Sequence, residues 1–307
     1  MNVTTVLGPV AAEDLGITLP HEHLCLNLNR GDGFQFRLKP LRETDRELIC
    51  TELLSFQREG GKTVIDVTPP DLGRNPRVLA QISRETGLNI IMGTGRYREP
   101  FYERALWERT TRSLTAEFIQ EITEGVDGIF PGIIGEIGVH AYHMSPVEER
   151  VHRAAARAQV ETGLPLTTHA LESAVGIDQL DVFEEEKVDL TRVAVGHCDS
   201  YPRLDFHESI LARGAFVEFD LIRGQNEYDT LMQVELICKL VERGHLHKLL
   251  LSQDVCIREH LQAYGGQGYG YVLRSFVPRL LKAGLTESEV NVILIENPRS
   301  FLTGETF

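Results

Sequence analysis

Two histidines separated by one residue, His21 and His23, lie near the N-terminus in the segment Leu19-Pro20-His21-Glu22-His23-Leu24. The apolar residues before them indicate a β-strand, in which side chains two positions apart point to the same face. Two imidazoles about 6–7 Å apart on one face can converge on one metal ion. The alternative is a pair of ordinary histidines at a strand end, and the rest of the chain decides between the two.

Four later apolar runs each carry one more residue of a metal-binding type: Glu136, His169, His197 and Asp254. Glu136 lies between two glycines in an apolar run, where a buried carboxylate is costly unless it is paired or binds a metal. Taken singly, each residue has an ordinary explanation: a salt-bridged core glutamate, two strand-end histidines and a helix N-cap. Their joint meaning depends on whether the fold brings these strand ends together.

Strand-like and helical segments alternate along the chain, which predicts parallel strands connected by helices. The first strand carries the histidine pair, and seven further runs follow at 63–68, 89–92, 132–138, 164–169, 193–197, 215–220 and 248–254. Eight such units in about 250–300 residues predict a (β/α)₈ TIM barrel. No Gly-x-Gly-x-x-Gly or Walker A motif follows the first strand, which argues against an open nucleotide-binding sheet.

Smaller features complete the predicted architecture. A short N-terminal β-hairpin is expected from residues 4–10 and 15–19, and a polar loop rich in glycine and arginine from 27–40. No linker or low-complexity tract divides the chain, so a single domain over residues 1–307 is predicted.

The C-terminal ends of barrel strands meet at one mouth, where the active sites of TIM-barrel enzymes lie. The histidine pair, Glu136, His169, His197 and Asp254 then converge from five strands. Mixed imidazole and carboxylate ligands suit Zn²⁺, with Mn²⁺, Fe²⁺ and Co²⁺ as alternatives. The sequence therefore predicts a metal site at the barrel mouth.

Composition restricts the class of partner. The formal net charge of -14 argues against nucleic acid and anionic membrane surfaces as partners and favours a small-molecule substrate. The five cysteines are odd in number and scattered, which favours buried free thiols in a reducing compartment. The N-terminus has no basic and apolar signal pattern, and no run approaches 18 apolar residues, so a cytoplasmic protein is expected.

The ligand order, His-x-His, acid, His, His and Asp, resembles that of the phosphotriesterase family of the amidohydrolase superfamily. The segments Thr5-Val6-Leu7-Gly8-Pro9 and Leu15-Gly16-Ile17-Thr18-Leu19-Pro20 are also similar to that family's N-terminus. The resemblance implies two divalent metal ions per chain with a hydroxide between them. It assigns His21, His23, Glu136 and Asp254 to one ion, and Glu136, His169 and His197 to the other. It also suggests a homodimer.

One position departs from the pattern of the true phosphotriesterases and their lactonase relatives. Those enzymes bridge their two metals with a carboxylated lysine, whereas this chain has Glu136 there, and Lys62 and Lys248 lie on other strands. A glutamate bridge resembles the phosphotriesterase homology and phosphotriesterase-related groups. The expected function is hydrolysis of a carboxylic ester, lactones first. Alternatives are a phosphorus-ester (phosphotriester or phosphodiester) or amide hydrolase, and a non-catalytic protein that binds a small molecule.

Three residues are assigned roles around the metals. Asp254 is expected to accept the proton of the attacking water, since it lies at the mouth. Tyr97 follows the third strand, where the family's lactonases place a tyrosine, and Arg223 follows the seventh. Both are candidate substrate-binding residues, with an ordinary loop aromatic and a solvated arginine as the alternatives.

Other residues after the strands are assigned more general roles. The glycine-rich loop with Tyr264 and Tyr269 is a candidate lid. His140 and His143 are interpreted as surface residues, with pocket lining as the alternative. The remaining five histidines are interpreted as surface or structural: His152, His207, His245, His247 and His260.

Overall fold

The computed structural model describes residues 1–28 and 41–305. The predicted loop at 27–40 falls almost entirely outside these ranges. The prediction of a single domain over 1–307 stays a prediction. Within the described ranges, no helix is both long enough and apolar enough to cross a membrane.

The N-terminus forms an antiparallel hairpin of β1 (Asn2–Thr5) and β2 (Gly8–Ala11). The Thr5 hydroxyl donates to the Gly8 carbonyl at 2.7 Å, and Gly8 has a φ of 117°, which places the turn at Val6-Leu7. The expected pairing of 4–10 with 15–19 is therefore wrong. The second of these runs belongs to the first barrel strand, because the turn closes within the first run.

Eight parallel strands form a nearly closed barrel, which confirms the predicted fold. They are β3 (Ile17–Glu22), β4 (Gly61–Asp66), β5 (Asn89–Thr94), β6 (Ile133–Gly138), β7 (Leu166–His169), β8 (Val193–Gly196), β9 (Phe216–Phe219) and β10 (Leu249–Leu251). Each strand pairs with the next one along the chain, so the hydrogen-bonded order runs from β3 to β10 without a crossover.

Helices alternate with these strands on the outside of the barrel. They are α1 (Arg46–Arg58), α2 (Pro76–Thr86), α3 (Thr111–Glu124), α4 (Pro146–Thr162), α5 (Val175–Glu185), α6 (Leu204–Ala212), α7 (Glu227–Glu242), α8 (Val277–Lys282), α9 (Glu287–Asn291) and α10 (Asn297–Thr303). Ser145 is the N-cap of α4: its hydroxyl accepts from the Glu148 amide, and Pro146 is the first helical residue.

The lining of the barrel changes in character along its axis. An apolar cluster contains Leu15, Phe216, Leu250 and Phe301. On β9, Phe216 is followed on the same face by Glu218, and Asp220 comes next in the same alternation. The interior therefore passes from apolar side chains to buried acids toward the C-terminal ends of the strands.

Candidate metal centre

The structure brings all six predicted metal ligands to the C-terminal ends of the barrel strands, and all six are buried. His21 lies on β3 and His23 just after it, Glu136 on β6, and His169 at the end of β7. His197 follows β8, and Asp254 follows β10. Their convergence explains why polar side chains interrupt otherwise apolar strands.

The carboxylate of Glu136 lies at the centre of the group. Its Oε1 is 3.2 Å from Nε2 of His23, and its Oε2 is 3.6 Å from Nε2 of His21. Oε2 also lies 3.8 Å from Nε2 of His197. One oxygen thus faces one histidine and the other oxygen faces two, so the carboxylate contacts histidines of both predicted ligand groups.

Backbone geometry at Gly135 makes room for this carboxylate. Gly135 has a φ of 131°, and a Cβ atom there would lie 2.4 Å from the carbonyl oxygen of Thr167 on β7. Only glycine meets both conditions, so the glycine beside Glu136 is a requirement of the site.

Among the described residues, three groups of side chains have ligand atoms that all lie within 4.8 Å of one another; one of them, His21, His197 and Asp220, includes an acid that was not predicted as a ligand, and the other two consist of predicted ligands. Of those two, the first contains His21, His23 and Glu136, and the second contains Glu136, His169 and His197. Asp254 adjoins the first group, because its Oδ1 lies 3.3 Å from Nε2 of His23. The two groups share Glu136, as the resemblance implies.

Three buried atoms of the group have no hydrogen-bond partner among the described residues: Nε2 of His21, Oε2 of Glu136 and Nδ1 of His169. Buried polar atoms in proteins are nearly always paired, so an unpaired cluster needs an explanation. All three are lone-pair donors of the kind that divalent metals bind. The residues present therefore fit a metal ion.

The other ring nitrogens are held by residues that sequence reasoning missed. Nδ1 of His23 lies 2.8 Å from the Thr68 hydroxyl. Nδ1 of His21 lies 3.2 Å from oxygens of both Glu218 and Asp220. Hydrogen bonds of this kind fix the tautomer and direct the opposite nitrogen to the metal. The alternation of Phe216, Glu218 and Asp220 on one strand was the available signal.

Electrostatics keep the two carboxylates ionised. Burial alone would raise the pKa of Glu136, but the neighbouring His21 and His23 rings hold it well below its usual range. Burial likewise opposes ionisation of Asp254, but Arg223 and His23 hold its pKa below the usual range. Burial also lowers the pKa of the His169 ring, so this imidazole is neutral and can act as a ligand.

The backbone is unusual at two predicted ligands. His197 has a φ of 57° and Asp254 a φ of 46°, both in the left-handed region that favours glycine. Such conformations persist only where the surrounding structure holds them, and they cluster at functional sites. The left-handed turn lets each side chain face the mouth directly after its strand.

A cavity of about 340 Å³ opens onto this group. Its wall includes five leucines: Leu26, Leu28, Leu72, Leu171 and Leu221. It also includes Tyr97, Arg98, Glu172, Arg223 and Cys256. The structure therefore places Tyr97 and Arg223 at the predicted mouth, beside leucines and Arg98 that the sequence did not single out. Their contact with a substrate stays a prediction.

Tyr97 and Arg223 are themselves tied to predicted ligands. The ring centroid of Tyr97 lies 5.0 Å from that of His169. Arg223 donates from Nη2 to Oδ2 of Asp254, and its Nε donates to the Gln253 carbonyl at 2.9 Å. A solvated loop arginine is thus the wrong interpretation of Arg223.

The candidate lid divides into two parts. Tyr269 is fully buried and its hydroxyl donates to the His23 carbonyl at 2.8 Å, whereas Tyr264 is exposed. Tyr269 therefore fixes the loop to a ligand strand. His140 and His143 are exposed and do not line the cavity, so the surface interpretation is confirmed for both.

The fold and the side chains at its mouth define a (β/α)₈ barrel protein with a candidate metal centre. The model of the Phosphotriesterase family matches residues 1–302, and the chain belongs to this family, as predicted.

Two relatives illustrate the range of activities named within the family. The phosphotriesterase homology protein of Escherichia coli strain K12 is 38% identical over 288 residues, which cover 93% of this chain and 97% of that protein. The N-acetyltaurine hydrolase of Danio rerio is 27% identical over 349 residues, covering 98% of this chain and 97% of that enzyme.

Two solved structures have closely similar folds. A resiniferatoxin-binding protein from Rhodobacter sphaeroides superposes with a TM-score of 0.91 at 30% identity, covering 100% of this chain and 96% of that one. The lactonase Lmo2620 from Listeria monocytogenes gives a TM-score of 0.89 at 27% identity, with 100% of both chains covered. The chain is thus a phosphotriesterase-family hydrolase.

Proposed function

We propose that this chain is a hydrolase with a binuclear metal centre that cleaves carboxylic esters, most readily lactones. The observation that carries the proposal is the position of the Glu136 carboxylate, 3.2–3.8 Å from three histidine nitrogens. His21, His23, Glu136 and Asp254 would hold one ion, and Glu136, His169 and His197 the other. Zn²⁺ suits these ligands best, with Mn²⁺, Fe²⁺ and Co²⁺ as alternatives.

When bound, the two cations activate a water molecule and polarise the carbonyl group of the substrate. Asp254 accepts the proton that the attacking water loses, because its carboxylate lies at the mouth, with Oδ1 3.3 Å from Nε2 of His23. Arg223 holds Oδ2 of Asp254, which keeps this carboxylate facing His23. The oxygen of the attacking water bonds to the carbonyl carbon, and the ring C–O bond of the lactone breaks. The ring oxygen then takes up the proton that Asp254 accepted, so that the product is a hydroxy acid.

The cavity wall supports a substrate with both apolar and polar parts. The five leucines provide an apolar surface for carbon atoms of the substrate. Tyr97, buried against His169, forms one side of the space above the metal ligands. The leucines and Tyr97 orient the substrate and exclude water. They serve a substrate whose leaving group is uncharged, as in a lactone.

An amide hydrolase is the second candidate, because N-acetyltaurine hydrolases are among the relatives of this chain. The same side chains could serve this reaction, since amides and esters both present a carbonyl group to the attacking water. The difference lies in the leaving group, which is an amine that needs a proton. A non-catalytic binding protein does not explain why all six predicted metal ligands converge.

We further propose that the chain acts in the cytoplasm on a small molecule, as a homodimer. The cysteines at positions 25, 50, 198, 238 and 256 are all free, which supports a reducing compartment. Size-exclusion chromatography with light scattering tests the dimer.

The test of the reaction is kcat/KM of the zinc-loaded protein on a parallel panel of lactones, an aryl dialkyl phosphate, phosphodiesters and N-acyl amino acids. We expect lactone rates several decades above the others. A dominant N-acyl amino acid rate would favour the amide alternative. A dominant phosphorus-ester rate would overturn the carboxylic ester assignment. Metal-loaded protein inactive on the whole panel would contradict both carbonyl reactions.

A further inference from the structure

Glu22 is the last residue of β3 and lies between His21 and His23 in sequence, but its side chain points to the opposite face, because neighbours alternate. It is fully buried, and its carboxylate binds the segment that follows β10. Oε1 accepts from the Ser252 hydroxyl at 2.8 Å and from the Gln253 amide at 2.8 Å. Oε2 accepts from the Val255 amide at 2.7 Å. The carboxylate thus accepts hydrogen bonds from the backbone amides of both residues that flank Asp254.

These bonds cross the place where the barrel closes. The hydrogen-bonded strand order has β3 at one end and β10 at the other, so the two strands meet at a seam. Two further bonds cross it: the Asp254 amide donates to the His21 carbonyl at 3.2 Å, and the His21 amide donates to the Ser252 hydroxyl at 3.0 Å. Ser252 therefore accepts from His21 while it donates to Glu22.

The hydrogen bonds across the seam hold an unfavourable backbone conformation at Asp254. Its φ of 46° is unfavourable for a residue with a side chain, and it persists only if the neighbouring backbone is held. Glu22 holds the amide on each side of it. The distance from Asp254 to His23 across the seam therefore depends on a carboxylate that binds no metal itself.

We propose that Glu22 is a positioning residue that sets Asp254 against His21 and His23 across the barrel seam. It thereby determines the affinity of the first metal group and the placement of the proton acceptor. This inference rests on the proposed metal centre, because it concerns the side chains that would hold one ion. His169 and His197, on β7 and after β8, lie away from the seam and are not held by Glu22.

Glu52 provides a matched control. It is a buried carboxylate on α1 that accepts from two backbone amides of the same segment, those of Gln262 at 3.1 Å and Ala263 at 3.0 Å. These amides lie well past Asp254 in sequence. A purely structural role for buried acids that bind this segment predicts the same outcome for both glutamates.

The experiment compares Glu22→Gln with Glu52→Gln. Glutamine keeps the shape of the side chain, but its NH₂ group replaces one carboxylate oxygen. A hydrogen-bond donor then faces another donor in place of an acceptor. Metal-free proteins are titrated with Co²⁺, and binding is followed by calorimetry and by the visible absorption of the bound ion. We expect Glu22→Gln to bind one of its two equivalents of Co²⁺ about tenfold or more weakly than the wild type does. Its affinity for the other equivalent should be close to that of the wild type. Glu52→Gln is expected to bind both as wild type does.

The alternatives give different results. Wild-type affinity for both equivalents in Glu22→Gln would overturn the positioning role while leaving the metal centre intact. A wild-type protein that binds no Co²⁺ would overturn the proposed function and this inference with it. If Glu22→Gln does not fold, Ser252→Ala removes only the hydroxyl that links His21 to Glu22. It should weaken the same equivalent to a smaller degree, and unchanged binding there would contradict the inference.

Discussion

Asp220 accepts two hydrogen bonds from His197, one from ring Nδ1 at 2.7 Å and one from the backbone amide at 2.9 Å. The first bond places the proton on Nδ1 and leaves Nε2 free to face Glu136. The second holds the left-handed backbone of His197, which lies directly after β8. One acid thus fixes both the tautomer and the direction of a predicted ligand.

Substituting Asp220→Asn should therefore weaken metal binding without removing a predicted ligand. The amide offers no charge to the His197 ring or to the His21 ring, whose Nδ1 also lies 3.2 Å from Asp220. We therefore expect affinity for both equivalents to fall, by about 10–100-fold for the one that His197 would hold. Calorimetric titration of the metal-free protein measures this. Asp205→Asn is the control, because Asp205 is an exposed partner of Arg203 and should leave affinity unchanged. Equal affinities in wild type and Asp220→Asn would contradict the account.

Asp254→Asn separates metal binding from proton transfer. The substitution keeps an oxygen near His23 but removes the group assigned to accept a proton, so kcat should fall by about 10²-fold or more. The change is measured in protein with its metal content checked by elemental analysis. Full turnover by Asp254→Asn with metals bound would show that another group accepts the proton.

A buried histidine outside the metal group predicts how stability depends on pH. Burial lowers the pKa of His152 to about 4, and its Nδ1 donates to the Glu148 carbonyl at 2.8 Å. The folded protein therefore keeps this ring neutral, whereas the unfolded chain takes up a proton below about pH 6.5. Stability from this residue is complete above that pH and is lost as pH falls toward the folded-state pKa.

The expected loss for His152 is roughly 2 kcal/mol between pH 7 and pH 5. His152→Gln has no group at this position that takes up a proton. The difference in unfolding free energy between wild type and variant should therefore narrow by roughly 2 kcal/mol from pH 7 to pH 5. Denaturant unfolding at both pH values measures it. A difference that does not change with pH would contradict the assignment of a neutral His152.

The sequence was sufficient to select the six candidate ligands that the fold brings together. His21, His23, Glu136, His169, His197 and Asp254 stand out because each interrupts or ends an apolar run, and a barrel brings strand ends together whatever lies between them. The fold followed from the same alternation of strands and helices. Neither inference needed contacts between specific pairs of residues.

The supporting residues could not be identified in that way. Glu22 and Asp220 act through hydrogen bonds to groups 231 and 23 residues away. The alternation of Phe216, Glu218 and Asp220 indicates buried acids, but no spacing in the sequence encodes the groups with which Glu22 and Asp220 pair. The hairpin was misplaced for a related reason, since its turn depends on a Thr5 hydroxyl bond and on Gly8. Tyr269 was assigned to a lid because a loop tyrosine gives no sign of its burial.

The most direct test of the central claim is kcat/KM for a lactone as a function of bound metal. Protein is stripped with a chelator, reloaded with Zn²⁺ in steps, and assayed alongside Glu136→Gln. We expect negligible lactone hydrolysis without metal and a rise in kcat/KM that is complete at two equivalents of Zn²⁺ per chain. We also expect Glu136→Gln to lose stoichiometric Zn²⁺ binding. Full activity in metal-free protein, or two tightly bound equivalents in Glu136→Gln, would contradict the proposed function.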